Sequence, residues 1–145
     1  MPTMLEHARR IIAGDLPPAP FPSLVGMRLT AIEPGRARME MTVDARHANP
    51  MGTVHGGVPC TLADSAMGLA YAATLEEGES FTTLDLKINF LRPFWSGLLV
   101  AEGVVVQRGR TVGLAECSIT DDKGRLIARA MSTCMTLRDD QAKGR

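Results

Sequence analysis

The segment from Val58 to Leu75 restricts the fold more than any other part of this chain, because it is rich in Ala and Gly, apolar nearly all round, and charged only at Asp64. A helix that is apolar on every side is buried rather than laid on a surface. Pro59 suits the first turn of such a helix, where its missing N–H leaves no hydrogen bond unmade. The pattern therefore predicts one long central helix. An ionised carboxylate inside it is costly unless it is hydrogen-bonded or has a chemical role, so Asp64 is the first candidate functional residue.

The loop before this helix holds the other candidates. It contains two histidines, an amide and a pair of glycines, in the order His47-Ala-Asn49-Pro-Met-Gly52-Thr-Val-His55-Gly56-Gly57. N–H groups at the start of a helix lack acceptors within the helix, and the helix dipole adds partial positive charge there. Glycine also lets a ligand approach the backbone closely. Gly56 and Gly57 can therefore donate hydrogen bonds to a developing oxyanion; the alternative interpretation is an ordinary turn before a helix.

The remaining sequence predicts a short helix and several strands. Residues 3–13 form an amphipathic helix that ends at Gly14, and the prolines at positions 17, 18, 20 and 22 predict an extended connector. Alternation of apolar and polar residues predicts strands over residues 27–33, 36–43, 81–91, 98–108, 111–120 and 126–137. Asp121-Asp122-Lys123-Gly124 predicts a hairpin turn between the last two strands.

This order of elements predicts an α+β fold, in which the long central helix is wrapped by a mainly antiparallel sheet of about six strands. We divide the chain into residues 1–21, with the N-terminal helix and proline-rich connector, a main domain over residues 22–138, and a fraying C-terminal tail over residues 139–145. A sheet of this size around one helix leaves an exposed edge, and such edges favour pairing with a second subunit.

Composition excludes several classes of function. The chain has 145 residues and a formal net charge of zero, so no overall charge favours nucleic acid or an anionic membrane. Charges interrupt every apolar stretch of the first residues, so neither a signal peptide nor a membrane span is expected. Three cysteines without a CxxC pair predict reduced thiols and a cytoplasmic location. The spacing of His47, His55 and Asp64 fits no compact zinc pattern, so no metal site is expected.

The motif segments resemble a known family. The run HANPMGTVHGGVPCTLADSA is similar to the signature of the PaaI-like, phenylacetate-pathway branch of the hotdog-fold acyl-CoA thioesterases. The similarity continues through TTLDLKINFLRP, GRT and DKGRLIA, and covers roughly residues 22–138. The resemblance implies hydrolysis of acyl-CoA thioesters, and the aromatic and Met residues of the chain could line a pocket for an aryl or a medium-chain acyl group equally well. It also implies no metal or redox cofactor, with coenzyme A entering only as part of the substrate, and a homodimer or a dimer of dimers.

The resemblance also assigns roles to residues. In similar enzymes the active site lies between subunits, and the thioester carbonyl lies at the N–H that corresponds to Gly56 of one chain. Asp64 of the other chain would be the nucleophile or the general base that activates water. Asp64 follows Gly56 by eight residues, or about 12 Å of helical rise, which is too far for both to serve one carbonyl within a chain. The distance therefore agrees with a site between subunits.

The same resemblance places Asn49 and His55 in the catalytic part of the site and Thr83 beside the acidic residue, where it is assigned to substrate binding. Gly57 is assigned to substrate binding for its N–H at the helix start. Arg110, as well as Arg108 or Arg92, could meet the coenzyme A phosphates as Arg often does, and we assign Arg110 to substrate binding on that ground. Each has a purely structural alternative: an Asn-Pro turn for Asn49, a core histidine for His55, and a solvated face for Arg110. For the hydroxyl, either Thr82 or Thr83 can share a strand face with Asp85, and both can be plain strand formers.

Asp64 and the function as a whole also have alternatives. The Asp64 carboxylate can be a helix residue bonded to Thr61 or Ser65. A hotdog dehydratase or hydratase would pair a histidine with a helix carboxylate, but the loop lacks the proline- and glycine-rich pattern of those enzymes. A non-catalytic acyl-CoA-binding module would have no need of a carboxylate in an apolar helix. A screen for free thiol release distinguishes these functions.

Overall fold

The protein, described by a computed structural model over all 145 residues, consists of one six-stranded sheet and three α-helices. The elements are α1 (Met4–Ala13), α2 (Pro20–Val25), β1 (Met27–Glu33), β2 (Arg36–Val43), α3 (Gly57–Ala72), β3 (Ser80–Phe90), β4 (Gly97–Arg108), β5 (Val112–Asp121) and β6 (Leu126–Leu137), with 3₁₀ turns at Ala45–His47 and Asp139–Ala142. The strand order is β1-β2-β4-β5-β6-β3, and every neighbouring pair is antiparallel. The predicted architecture of a central helix against an antiparallel sheet is therefore present.

Helix α3 forms the centre of the core. Leu62, Ala66 and Met67 are fully buried against β2, β4 and β5. The helix lies very close to β4, because a Cβ placed on Gly103 would come within 2.4 Å of the Ala66 carbonyl oxygen. Small residues on the helix and a glycine on the strand thus let the two backbones approach. None of the helices is long and apolar enough to cross a lipid bilayer.

The sequence prediction of an extended connector is wrong at helix α2. Pro20 is the first residue of a six-residue helix, and Gly26 ends the helix with φ of 85°. Pro20 and Pro22 both lie within the first turn, where N–H groups have no helical acceptor. Proline is excluded from a helix interior, but a helix this short has no interior.

The end of α3 and the C-terminal tail differ slightly from the sequence prediction. Helix α3 ends at Ala72 rather than near Leu75, and tighter turns follow it, with Leu75 N–H donating to the Ala72 carbonyl at 3.1 Å. In the predicted tail, Asp139–Ala142 form one 3₁₀ turn. The domain boundaries themselves stay a prediction.

Strand β3 lies at an edge of the sheet and pairs only with β6. Its register shifts between Thr83 and Asp85, which leaves Leu84 as a bulge. The N–H of Thr133 on β6 donates to the Asp85 carboxylate at this bulge, at 2.9 Å. The Leu84 side chain is exposed, so this edge presents apolar surface beside its free backbone groups.

Candidate active site

Asp64 lies on the face of α3 that its own sheet leaves uncovered. The side chain is exposed in the single chain, and the hydroxyl of Thr83 donates to its Oδ1 at 3.3 Å. The inference that Asp64 is a buried carboxylate is therefore wrong for one subunit, because the apolar pattern of α3 continues onto a face that the sheet does not cover. The hydroxyl partner is Thr83, not Thr61, Ser65 or Thr82.

The surroundings of Asp64 form an open groove of about 360 Å³ between α3 and β3. Cys60 lines this groove, and burial, followed by the negative charge of Asp64, raises the pKa of its thiol. A thiol with a raised pKa is a poor nucleophile at neutral pH. Asp85 also borders the groove, but its carboxylate already accepts the Thr133 N–H. Asp64 and Asp85 each accept one hydrogen bond through Oδ1, and of the two Asp64 is the carboxylate on helix α3.

The His55 side chain accepts a hydrogen bond from the first N–H group of α3. Its Nδ1 accepts a hydrogen bond from the Gly57 N–H at 2.9 Å, and its carbonyl accepts one from the Val58 N–H, also at 2.9 Å. An accepting Nδ1 places the ring proton on Nε2 in the neutral imidazole. A Cβ on Gly57 would lie 3.0 Å from this Nδ1, so glycine permits the contact. The Gly57 N–H, expected to contact substrate, is thus bonded within the chain.

One N–H group remains free at the start of α3. Pro59 has none, and the Cys60 N–H donates to the Gly56 carbonyl at 3.3 Å. The Gly56 N–H donates to no protein atom. Because the dipole of α3 reinforces a donor at this position, Gly56 is the one backbone group here that can stabilise an oxyanion.

The side chains of Asn49 and His47 make contacts that stabilise the loop before α3. The Asn49 amide donates to the Thr53 hydroxyl at 2.8 Å, and its oxygen accepts the Met51 N–H at 2.9 Å. His47 accepts the Asp44 N–H at 3.0 Å through Nδ1 and lies 3.3 Å from the Val25 carbonyl through Nε2. In this chain both side chains hold the loop that ends at Gly56, as the turn interpretation of Asn49 expects.

Arg110 lies apart from the other candidates. It borders a cleft near the C-terminal end of α3, together with Thr74, Glu79, Arg108 and Arg138. Arg138 donates to the Arg110 carbonyl at 2.7 Å. Gly56 and Asp64 also border separate cavities within one subunit. A single chain therefore brings Asp64 together with Thr83, and Gly57 with His55, but does not join these pairs or bring Arg110 to them.

Comparison with known proteins identifies the family. Residues 51–128 match the Thioesterase superfamily model. This chain belongs to that superfamily. The match covers the part of the loop with His55 and Gly56, all of α3 and strand β3, which hold most of the candidate site residues. The prediction of a thioesterase-family enzyme is thereby confirmed, and thioester hydrolysis is the reaction class.

Relatives of this thioesterase extend over most of its length. An esterase from Saccharolobus solfataricus is 34% identical over 112 residues, which are 77% of this chain and 79% of the relative. Acyl-coenzyme A thioesterase 13 from Homo sapiens is 29% identical over 136 residues, 92% of this chain and 96% of the relative. A phenylacetic acid degradation-related protein from Ralstonia eutropha superposes with a TM-score of 0.80 at 32% identity, over 88% of this chain and 98% of that chain. The predicted hotdog fold and PaaI-like resemblance are confirmed.

Proposed function

We propose that this thioesterase hydrolyses acyl-CoA thioesters with an aryl or medium-chain acyl group to the free acid and coenzyme A. The observation that carries the proposal is the single free N–H at the start of α3, on Gly56, in a chain whose helix α3 carries one carboxylate, Asp64, with a free oxygen. The name of the similar human protein, acyl-coenzyme A thioesterase 13, supports an acyl-CoA substrate.

The reaction needs one donor and one base or nucleophile. The Gly56 N–H would receive the thioester carbonyl oxygen and stabilise the oxyanion as the carbonyl carbon becomes tetrahedral. Acting as general base, Asp64 takes a proton from water while the water oxygen bonds to that carbon. The C–S bond then breaks, and the proton passes from Asp64 to the departing thiolate. Acting as nucleophile, an Asp64 oxygen would instead bond to the carbonyl carbon while the C–S bond breaks and coenzyme A leaves as thiolate. Water would then hydrolyse the mixed anhydride to the free acid and the Asp64 carboxylate, and the thiolate would take its proton from water.

Asp64 keeps one oxygen available for either role. Thr83 donates to Oδ1, which orients the carboxylate and leaves Oδ2 to accept a proton or attack carbon. We therefore assign Thr83 to the support of Asp64 rather than to substrate binding. Arg110 stays a proposed contact for the coenzyme A phosphates, through the charge that Arg offers to phosphate.

The test of this function is a turnover screen. Purified protein is given aryl, short-chain, medium-chain, long-chain and enoyl acyl-CoA thioesters, and free thiol is measured. We expect thiol release with at least one aryl or medium-chain substrate. Binding of acyl-CoA without thiol release would favour a non-catalytic module, and loss of an enoyl chromophore without thiol release would favour a hydratase. Because the three cysteines are free, the cytoplasm is the location we propose.

We further propose a homodimer, alone or as half of a dimer of dimers, in which the β3 strands of two chains pair antiparallel into one continuous sheet. The partner would place its Asp64 near the Gly56 that one chain cannot bring to its own Asp64. Sedimentation velocity at micromolar concentration should show a dimer or a tetramer. Leu84→Asp should weaken the dimer at least about tenfold, because it would place a charge from each chain on the apolar edge that the dimer buries.

Leu24→Asp is the matched control for the dimer. Leu24 is 81% exposed on α2, away from the β3 edge, whereas Leu84 is 54% exposed on it. The control should sediment like the parent protein. A monomeric parent would contradict the dimer and, with it, the site between subunits.

Two substitutions of His55 test its bond to Gly57. Asn at position 55 can place its side-chain oxygen where Nδ1 lies, as Asn does when it bonds the backbone two residues ahead. Gln holds its oxygen one bond farther away. We expect the turnover number of His55→Asn to exceed that of His55→Gln about fivefold, the usual scale of one hydrogen bond. Equal losses in the two variants would assign the importance of His55 to Nε2 instead.

A further inference from the structure

A cleft of about 340 Å³ beside the C-terminal end of α3 carries three arginines. Its lining contains no apolar side chain and consists of Thr74, Glu76, Glu79, Arg108, Arg110 and Arg138. Because the three arginines outnumber the two glutamates, this arginine cleft is positively charged overall. A positive, polar cleft attracts anions.

The fold holds two of these guanidinium groups in place. Arg108 lies over the Tyr71 ring, 4.8 Å from its centre, and its Nη2 is 3.9 Å from the Glu79 carboxylate. Arg138 donates to the same carboxylate at 2.7 Å and to the Arg110 carbonyl at 2.7 Å. One carboxylate is therefore shared by two arginines, which leaves this group of side chains with positive charge.

Arg110 supplies the third guanidinium group, and this one is free. Arg110 lies in the turn between β4 and β5 and is exposed. Its guanidinium forms neither a hydrogen bond nor an ion pair within the chain. The bond from Arg138 to the Arg110 carbonyl fixes the turn, while the Arg110 side chain stays available. The planar fork of N–H groups on a guanidinium matches the oxygens of phosphate, and several arginines together suit its multiple charge.

Helix α3 and strand β3 lie side by side and run in opposite directions. A Cβ placed on Gly56 would lie 3.1 Å from the Phe90 ring, and a Cβ on Gly68 would lie 3.3 Å from the Phe81 ring. The start of α3 is therefore near the end of β3. The arginine cleft is at the beginning of β3, because Glu79 directly precedes that strand. The two ends of this 11-residue strand are about 33 Å apart.

A coenzyme A thioester held by its carbonyl at Gly56 cannot reach the arginine cleft of the same chain. About 21 bonds separate its sulfur from the farthest phosphorus, and at the ~1.2 Å per bond of an extended chain they span about 25 Å. Antiparallel pairing of two fully overlapped β3 strands would place the beginning of the partner's β3 beside the end of this one, about 5 Å away. In the proposed dimer, the arginine cleft within reach is therefore that of the partner.

We propose that the arginine cleft of one subunit binds the phosphates of the coenzyme A thioester whose carbonyl is held at Gly56 of the other subunit. This inference rests on the proposed function and on the proposed dimer. The free guanidinium of Arg110 contacts phosphate, and Arg108 and Arg138 add fixed positive charge around it. One complete site then takes Gly56 from one chain, and Asp64 and Arg110 together from its partner.

Arg110→Gln tests the phosphate contact with two thioesters of the same acyl group, one of coenzyme A and one of pantetheine, which has no phosphate. We expect the KM for the coenzyme A thioester to rise about fivefold, the scale of one charged contact at an exposed position, with kcat unchanged. The KM for the pantetheine thioester should equal that of the parent. The Kd for coenzyme A at equilibrium should also rise about fivefold. Inorganic phosphate that competes as well as coenzyme A at equal concentration would indicate a site for free phosphate and overturn the proposal.

Arg36→Gln is the matched control. Arg36 is exposed on β2 and forms no ion pair within the chain, like Arg110, but it borders a different cavity. Its KM values for both thioesters should equal those of the parent. An unchanged KM for the coenzyme A thioester in Arg110→Gln overturns the proposal, and so does an equal rise for the pantetheine thioester.

A mixed dimer tests which subunit supplies the cleft. A chain that carries both Asp64→Asn and Arg110→Gln is coexpressed with the parent chain under a different tag, and the heterodimer is purified through both tags. Its one active site uses Asp64 of the parent chain, so we expect the parental KM for the coenzyme A thioester at about half the parental kcat. A raised KM would assign the cleft to the chain that holds Gly56 and overturn the assignment. If the parent protein hydrolyses no thioester, the proposed function fails, while the Kd values for coenzyme A still decide the role of Arg110.

Discussion

Asp64→Asn is expected to lower turnover at least about a hundredfold, the usual scale for a lost general base. The amide keeps the size of the carboxylate and can still accept the Thr83 hydroxyl, but it has no basic oxygen for water and no nucleophilic oxygen for carbon. Because Asp64 is exposed in the single chain, folding should not depend on its charge. Thiol release at saturating substrate measures the effect, and binding of a non-hydrolysable analogue should persist.

Asp85→Asn is the matched control, because Asp85 borders the same groove on β3. Its carboxylate accepts the Thr133 N–H, a role that the Asn oxygen can keep. Turnover in this variant should stay within about twofold of the parent, as expected for a retained hydrogen bond. Near-parental turnover in a folded Asp64→Asn protein would remove Asp64 from the mechanism.

Gly103→Ala should produce the largest loss of stability. The added Cβ would meet the backbone of α3, at 2.4 Å from the Ala66 oxygen and 2.8 Å from the Met67 nitrogen. Backbone atoms inside a packed core cannot move aside as a side chain can, so the helix and β4 must separate. We expect the free energy of unfolding to fall by about 3 kcal/mol, which lowers the melting temperature by about 10 °C.

Gly68→Ala is the control for this effect. Its Cβ would meet only the ring of Phe81, at 3.3 Å, and a ring can give way. Alanine also favours the helix by about 1 kcal/mol relative to glycine. The melting temperature of this variant should therefore change little. Comparable destabilisation by the two substitutions would contradict the tight contact between α3 and β4.

Periodicity explains why most of the fold could be predicted. Alternating residues gave the antiparallel strands, and the apolar run after Gly57 gave α3, because both patterns follow directly from backbone geometry. Helix α2 was missed because four nearby prolines suggest an extended chain, while the position of each proline within the helix decides the outcome.

The sequence predicts which chemical groups belong to the candidate site, but not which of them are free to contact a substrate. Asp64 and the glycine pair stand out in the sequence, but spacing does not tell which N–H groups are already bonded. The bond from Gly57 to His55 depends on one side-chain orientation, and it changes which glycine is free. The ring of Phe90 reaches Gly56 only after β3 folds beside α3, and alternation alone places Phe90 with the packing residues of its strand.

The bulge at Leu84 sets the alignment of the whole edge strand. Side chains alternate between the two faces of a strand, so a slip of one residue would turn Thr83 away from Asp64 and carry Phe90 off Gly56. The hydrogen bond from the Thr133 N–H to the Asp85 carboxylate opposes that slip. The groove at Asp64 and the cavity at Gly56 therefore both depend on the register that this bulge sets. Asp85, which has no part in the proposed chemistry, helps to keep that register.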